Sequence, residues 1–233
     1  MGFDVTRIPG IGNAYLLTGE RVALVDTMGP RGYGKIEKAL AAKGLGAKDV
    51  EFILVTHHHY DHAGSAAKIK ELSGATVIAG ADDTPVIDGT RPNPAPSSIN
   101  RLGRLMRRLP KSLVEGYQKY QKYQRVPVDR KVTGGELIEE LGLEVIALPG
   151  HTQGGVGYLD RPGRRAFIGD MVSNFFGRPG MPALLASHSL EKIFESQEAL
   201  AALDLEIAYP GHGKVIQPTA SRKIADYVAR KRK

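Results

Sequence analysis

The chain has 233 residues, 42% of them hydrophobic, enough for one sizeable core. It has no cysteine, which excludes disulfides and thiolate metal sites and leaves His, Asp and Glu to hold any metal. The net charge of +7 is local, because eleven Lys/Arg face two acids between Arg91 and Lys131 while the remainder is slightly acidic; a whole-surface affinity for nucleic acid is not implied.

Met1–Asn13 lacks the pattern of a signal peptide, and no run approaches the roughly 18 apolar residues of a membrane span, so a cytoplasmic protein with no span is expected. Ala14–Thr18 and Arg21–Asp26 read as strands joined at Gly19-Glu20. Pro30-Arg31-Gly32 opens a helix with Ile36, Ala39 and Leu40, and Gly44 ends it. Glu51–Val55 is a short apolar run, expected as a buried strand. A helix with Ala66, Ile69 and Leu72 on one face should follow, then a strand at Ala75–Ala79. Thr84–Ser98 is rich in proline (Pro85, Pro92, Pro94, Pro96) and cannot stay regular for long. Ile99, Leu102, Met106, Leu109 and Leu113 then recur at helical spacing beside Arg101, Arg104, Arg108 and Lys111, giving a helix with a basic face. Pro110 should split it, the second piece reaching about Gln124 with Tyr117, Tyr120 and Tyr123. Residues 85–129 thus read as a basic insertion within a single domain, 1–233. Strands resume at Leu143–Leu148, Gly155–Leu159 and Arg165–Ile168. Ser189 is placed to cap a helix reaching about Ala202, with Ile193, Phe194 and Leu200 inward. Glu206–Ala208 is a last strand, and Pro218 starts a C-terminal helix ending in basic residues that suit its negative end.

The stretch THHHYDHAG, Thr56–Gly64, places four of the seven histidines within six positions, directly after a strand. His57 and His59 lie two apart and can face one side of an extended loop; Asp61 and His62 follow at the turn into the next helix. Three more polar residues stand where strand signals stop: His151 in LPGHTQGG, Asp170 in FIGD and His212 in YPGHG. Each follows a glycine, which lets the backbone turn sharply into a crowded centre. Any one of these histidines alone is more readily a hydrogen-bonded core residue. Together, five histidines and two aspartates form a donor set that suits imidazole- and carboxylate-bound zinc, with iron or manganese also matching. One metal needs about four ligands, so seven suit two divalent ions with one carboxylate shared.

These residues resemble the first motif of the metallo-β-lactamase-fold hydrolases, His-x-His-x-Asp-His, at His57, His59, Asp61 and His62. His151, Asp170 and His212 match the family's later histidine, aspartate and final histidine, and Leu24–Thr27 (LVDT) looks like its early strand motif. The resemblance covers almost the whole chain outside the insertion. It implies an αββα sandwich of the α+β class, with two mixed sheets face to face, helices outside and metals at one edge. By family analogy His57, His59 and His151 take one metal, Asp61, His62 and His212 the other, and Asp170 bridges. It further implies a hydrolase in which a hydroxide between the metals is the nucleophile, with Asp61 orienting it or relaying its proton. Asp26 is a candidate to hold a ligand imidazole from behind. His58 should point away from the ions in a supporting role, and His188 is either a capping-loop residue or a substrate contact.

The fold does not choose the bond. True β-lactamases of this fold lack the bridging aspartate and are usually exported, which disfavours antibiotic hydrolysis here. THHHYDHAG itself is similar to the glyoxalase II motif. With 21 residues after His212, the glutathione-gripping C-terminal domain of glyoxalase II is not expected. The expected substrate is a small ester, thioester or lactone, anionic substrates included and phosphoesters as side substrates, with Phe175 and Phe176 as apolar walls. The alternative is a nucleic-acid phosphodiesterase of the RNA-processing branch. The insertion is open to three roles: a lid over the site, a homodimer interface or a nucleic-acid contact.

Overall fold

The computed structural model describes residues 2–95, 97, 99, 101–106, 108, 110, 112, 115–116, 119 and 121–232. One mixed sheet runs in spatial order β1 (Phe3–Ile8), β2 (Ala14–Gly19), β3 (Val22–Val25), β4 (Phe52–Val55), β5 (Thr76–Gly80) and β6 (Arg130–Val132). Its first three strands are antiparallel, and β3 to β6 are parallel. In the second sheet β7 (Leu137–Ile138), β8 (Leu143–Ala147), β9 (Val156–Asp160) and β10 (Arg165–Gly169) are antiparallel neighbours. A later strand, Ile207–Pro210, adds parallel to β10. A small hairpin of β11 (Ser173–Phe175) and β12 (Arg178–Gly180) stands apart, so Ile207–Pro210 is β13.

The layering follows from alternation along the strands. Tyr15, Leu17, Val25, Leu54 and Ile78 of the first sheet meet Val145, Tyr158, Phe167 and Tyr209 of the second in one cluster. The intervening Leu16, Leu24, Ile53 and Val77 face the other way, onto Ile36 and Leu40 of α1 (Tyr33–Ala41) and Ile69 of α3 (Ala66–Ser73). Behind the second sheet, Leu159, Ala166, Ile168 and Ala208 pack on Ile193 and Leu200 of α6 (Leu190–Ala201) and Ile224 and Val228 of α7 (Ala220–Lys231). The four layers are helix, sheet, sheet, helix, as expected. Each buried aliphatic side chain adds roughly 1.5–3 kcal/mol, and both faces of both sheets are filled, so the strand ends are held rigidly.

Several elements differ from expectation. Strand β1 was not anticipated, because Asp4, Thr6 and Arg7 on an edge strand give no clean alternation. The short β6, β7, β11 and β12 were also missed. Leu72 is 47% exposed, so the buried face of α3 is Ala66, Ala67 and Ile69. Ser189 caps α6 as expected, its side chain accepting from Lys192 N. In the expected insertion, one turn, α4 (Thr84–Ile87), precedes the proline-rich run, and α5 spans Arg101–Met106. Tyr117 and Tyr120 lie outside the described residues. Gln121–Gln124 is not helical, because Tyr123 is drawn inward: it is buried, and its hydroxyl donates to His58 O at 2.8 Å.

Candidate metal centre

Strands β8, β10 and β13 run in one direction, so their C-terminal ends share a rim, and the end of β4 in the facing sheet meets it. The seven expected residues sit there. His57 follows β4; His59 precedes the single turn α2 (Tyr60–Ala63), which carries Asp61 and His62. His151, Asp170 and His212 follow β8, β10 and β13. The preceding glycines do two different jobs. Gly150 and Gly169 have φ of +128° and +49°, whereas Gly211 supplies space: a Cβ there would lie 2.1 Å from Asp170 Oδ1 and 2.5 Å from His62 Cε1.

Donor atoms of His57, His59 and His151 lie within 4.8 Å of one another, as do those of His57, His62 and Asp170, and those of Asp61, His62 and His212. His59 Nδ1 is 3.0 Å from His151 Nε2. Asp170 sits between the groups: Oδ1 is 3.1 Å from His62 Nε2, and Oδ2 is 3.1 Å from His212 Nε2 and 3.4 Å from His151 Nε2. His212 Nε2 is also 3.4 Å from Asp61 Oδ2.

Four imidazoles are fixed from behind. His62 Nδ1 is 2.8 Å from Asp26 Oδ2, His57 Nδ1 3.0 Å from Thr56 Oγ1, and His151 Nδ1 2.9 Å from Ser187 Oγ. His212 Nδ1 donates to Ile11 O at 2.5 Å. Asp26 also accepts from Thr56 N and Thr56 Oγ1, each at 2.8 Å. With Nδ1 so occupied, Nε2 of each of these four rings faces the centre. His57 Nε2 is buried without a hydrogen-bond partner, and His62 Nε2 and Asp170 Oδ1, 3.1 Å apart, have none beyond each other. Unpaired buried polar atoms are costly; converging on one point, they suit divalent cations.

Electrostatics divide the cluster. Burial, with the neighbouring imidazoles, holds His57 and His59 well below the ordinary histidine value. Burial also opposes charge on His62, but Asp170, Asp26 and Asp61 outweigh it and hold the ring well above that value. His212 is likewise raised to about 10, Asp170 and Asp61 overcoming burial. Burial favours the neutral form of Asp170, yet His62 and His212 hold it well below the carboxylate range.

The other expected residues are placed as follows. His58 turns away from the centre, its Nδ1 3.0 Å from Asp83 Oδ2. His188 donates its backbone N–H to Gly150 O and His151 O, and its ring lines a recess beside His151. The Phe175 ring stacks 6.3 Å from that of His212. Phe176 is 95% exposed and walls nothing among the described cavities, because φ of +54° turns it out of the hairpin. Sequence reading missed Thr56, Ser187 and Asp83. Asp83 had a signal, an aspartate just past a strand end, as at Asp26 and Asp170; Ser187 had none.

A sequence model described as the metallo-beta-lactamase superfamily matches residues 7–212. The chain is 27% identical over 223 residues to a probable hydroxyacylglutathione hydrolase of Schizosaccharomyces pombe, covering 91% of this chain and 70% of that one. A hydroxyacylglutathione hydrolase of Pseudomonas paraeruginosa is 31% identical over 109 residues, 46% of this chain, and the match spans only 26% of that relative's length. A crystal structure of a metallo-beta-lactamase family protein from Thermus thermophilus superposes with a TM-score of 0.75 at 27% identity, covering 99% of this chain and 79% of that one.

Proposed function

The chain belongs to the metallo-beta-lactamase superfamily and is a metal-dependent hydrolase, and from that premise we propose that it holds two divalent ions and hydrolyses a small ester, thioester or lactone. The observation that carries the reading is the set of imidazoles tied down at Nδ1 with Nε2 turned inward around Asp170. His57 Nε2, His59 Nδ1 and His151 Nε2 would hold one ion, and Asp61, His62 Nε2 and His212 Nε2 the other, with Asp170 between them. Zinc suits these donors best, and iron or manganese would also fit. Bound there, the ions supply a water acidified toward neutrality and a Lewis acid for the substrate's carbonyl oxygen. Asp61 would orient that water, take its proton and pass it to the leaving group. Asp26, Thr56 and Ser187 keep the imidazole tautomers fixed. No serine or cysteine nucleophile is required.

The names of the relatives favour a thioester. Ile11, whose carbonyl accepts from His212, is 76% exposed, and Phe175, stacked on the His212 ring, is 55% exposed, so this side of the mouth suits an apolar group. The nucleic-acid alternative needs the basic segment as a free face. Arg125 is spent on Val86 O and Asn93 Oδ1, and Arg130 on Leu137 O and Glu140, which takes two of its eleven cations off such a face. No helix among the described residues is long and apolar enough to cross a membrane. The test is a panel of thioesters, lactones, aryl esters, phosphodiesters and RNA with zinc-, iron- and manganese-loaded protein. Turnover of a carboxylic or thioester bond is expected. Cleavage confined to RNA would overturn the reading.

A further inference from the structure

The side of the mouth that carries Ile11 and Phe175 continues outward as an apolar crest between cations. Its tip is the turn of the β11–β12 hairpin. Phe175 pairs with Arg178, which leaves Phe176 and Gly177 as a two-residue turn with φ of +54° and +75°. Asparagine and glycine take such a turn readily, and phenylalanine does not. Phe176 nevertheless occupies it, 95% exposed. The turn bears a backbone cost and an exposed ring together, and neither helps the chain to fold. The Phe175 ring stacks on that of His212, whose Nδ1 donates to Ile11 O, so Ile11, Phe175 and Phe176 run along one side of the mouth. Cations flank them. Arg178 stands across the hairpin from Phe175, and Lys214 N donates to Asn174 O at 2.8 Å. Arg7 holds Asn13 Oδ1 at 3.1 Å at the end of the loop that bears Ile11, and Lys35 Nζ donates to Pro9 O of that loop at 2.9 Å. Arg31, four residues before Lys35, is exposed. The segments 7–13, 28–35, 173–180 and 211–217 that supply these side chains contain no Asp or Glu. Among the described residues, none of these five cations forms an ion pair.

We propose that this rim docks on an anionic lipid surface, with Phe176, Phe175 and Ile11 entering the headgroup layer and the flanking cations meeting lipid phosphates. The pattern selects this partner. A second copy of the chain on a two-fold axis would bring two like-charged rims together, and the phosphates of a nucleic acid would leave Ile11 and Phe176 in water. The proposal does not rest on the hydrolase reading, and its test does not read turnover. The full chain should sediment with vesicles of equal parts phosphatidylcholine and phosphatidylglycerol, release as salt rises, and ignore vesicles of phosphatidylcholine alone. The chain has no tryptophan, so Phe176→Trp gives a single reporter at the tip, and its emission should shift to the blue on the mixed vesicles. The rings and charges removed are exposed, so the variants should fold. Phe176→Ser should weaken vesicle binding about 10-fold or more, and Arg178→Gln about 5-fold. Lys43→Gln and Lys48→Gln, on the stretch that precedes β4 and hence at the opposite end of the sheet, should leave it unchanged. Failure to bind the mixed vesicles, an unmoved tryptophan emission, or losses from the Lys43 and Lys48 variants equal to that from Arg178→Gln would overturn the proposal. So would self-association or RNA binding that Phe176→Ser abolishes in a chain that ignores both vesicles.

Discussion

Asp26→Asn tests the support behind the cluster with little change in shape. Asp26 has φ of 59°, a left-handed conformation that asparagine tolerates better than most residues, so the backbone should hold. Its carboxylate accepts three hydrogen bonds at 2.8 Å, from Thr56 N, Thr56 Oγ1 and His62 Nδ1. The amide can keep Thr56 N on its oxygen, but its NH2 then faces His62 Nδ1. The ring must move its proton to Nε2, the atom 3.1 Å from Asp170 Oδ1, and lose the lone pair that would bind an ion. The loss of one charge-assisted hydrogen bond is worth about 1.5–3 kcal/mol. That agrees with a fall of about 10–100-fold in metal affinity when such a support is removed. Competition for zinc against a chromophoric chelator near neutral pH reads the affinity, and thermal unfolding of the metal-free protein reads the fold. Weakened affinity for one of two ions with a preserved fold is expected. Unchanged affinity for both would refute the tautomer argument.

Three further outcomes follow from the same geometry. Gly211→Ala drives a methyl to 2.1 Å from Asp170 Oδ1, so the protein should bind at least one ion fewer by elemental analysis; full occupancy would contradict the packing. In the metal-free protein at neutral pH, His212, raised to about 10, and His62, also raised, carry a second proton, while His57 and His59 are neutral imidazoles. Zinc must displace those protons, so uptake should acidify an unbuffered solution and affinity should rise with pH; uptake without proton release would contradict the charge division. Asp83→Ala leaves His58 N and Gly154 N without their acceptor in the interior, costing about 1–3 kcal/mol each, or roughly 2–6 kcal/mol. Urea unfolding should show a loss of this size, and a loss under about 0.5 kcal/mol would contradict the network.

The layers were legible because alternation in Ala14–Gly19 and Val22–Val25 and the apolar run Phe52–Val55 encode which faces are buried. The seven site residues were legible because each stands where a strand stops, beside glycine or in one tight cluster. Strand β1 was obscured because an edge strand tolerates Asp4 and Arg7. Ser187 has no local signal: its partner is His151, 36 positions away, and only the packing of the 184–187 turn brings them together. His58 and Asp83, 25 positions apart, meet because β4 and β5 are parallel neighbours whose ends coincide. Leu72 fitted a helical stripe by spacing, but the stripe narrows at the last turn of α3, where the sheet no longer covers it.

Anomalous diffraction from crystals of the zinc-loaded protein, recorded at the zinc edge, addresses the central claim most directly. Two peaks are expected about 3.5–4 Å apart. One should be bounded by His57 Nε2, His59 Nδ1 and His151 Nε2, the other by Asp61, His62 Nε2 and His212 Nε2, with Asp170 touching both. A single peak, or peaks away from this rim, would contradict the account.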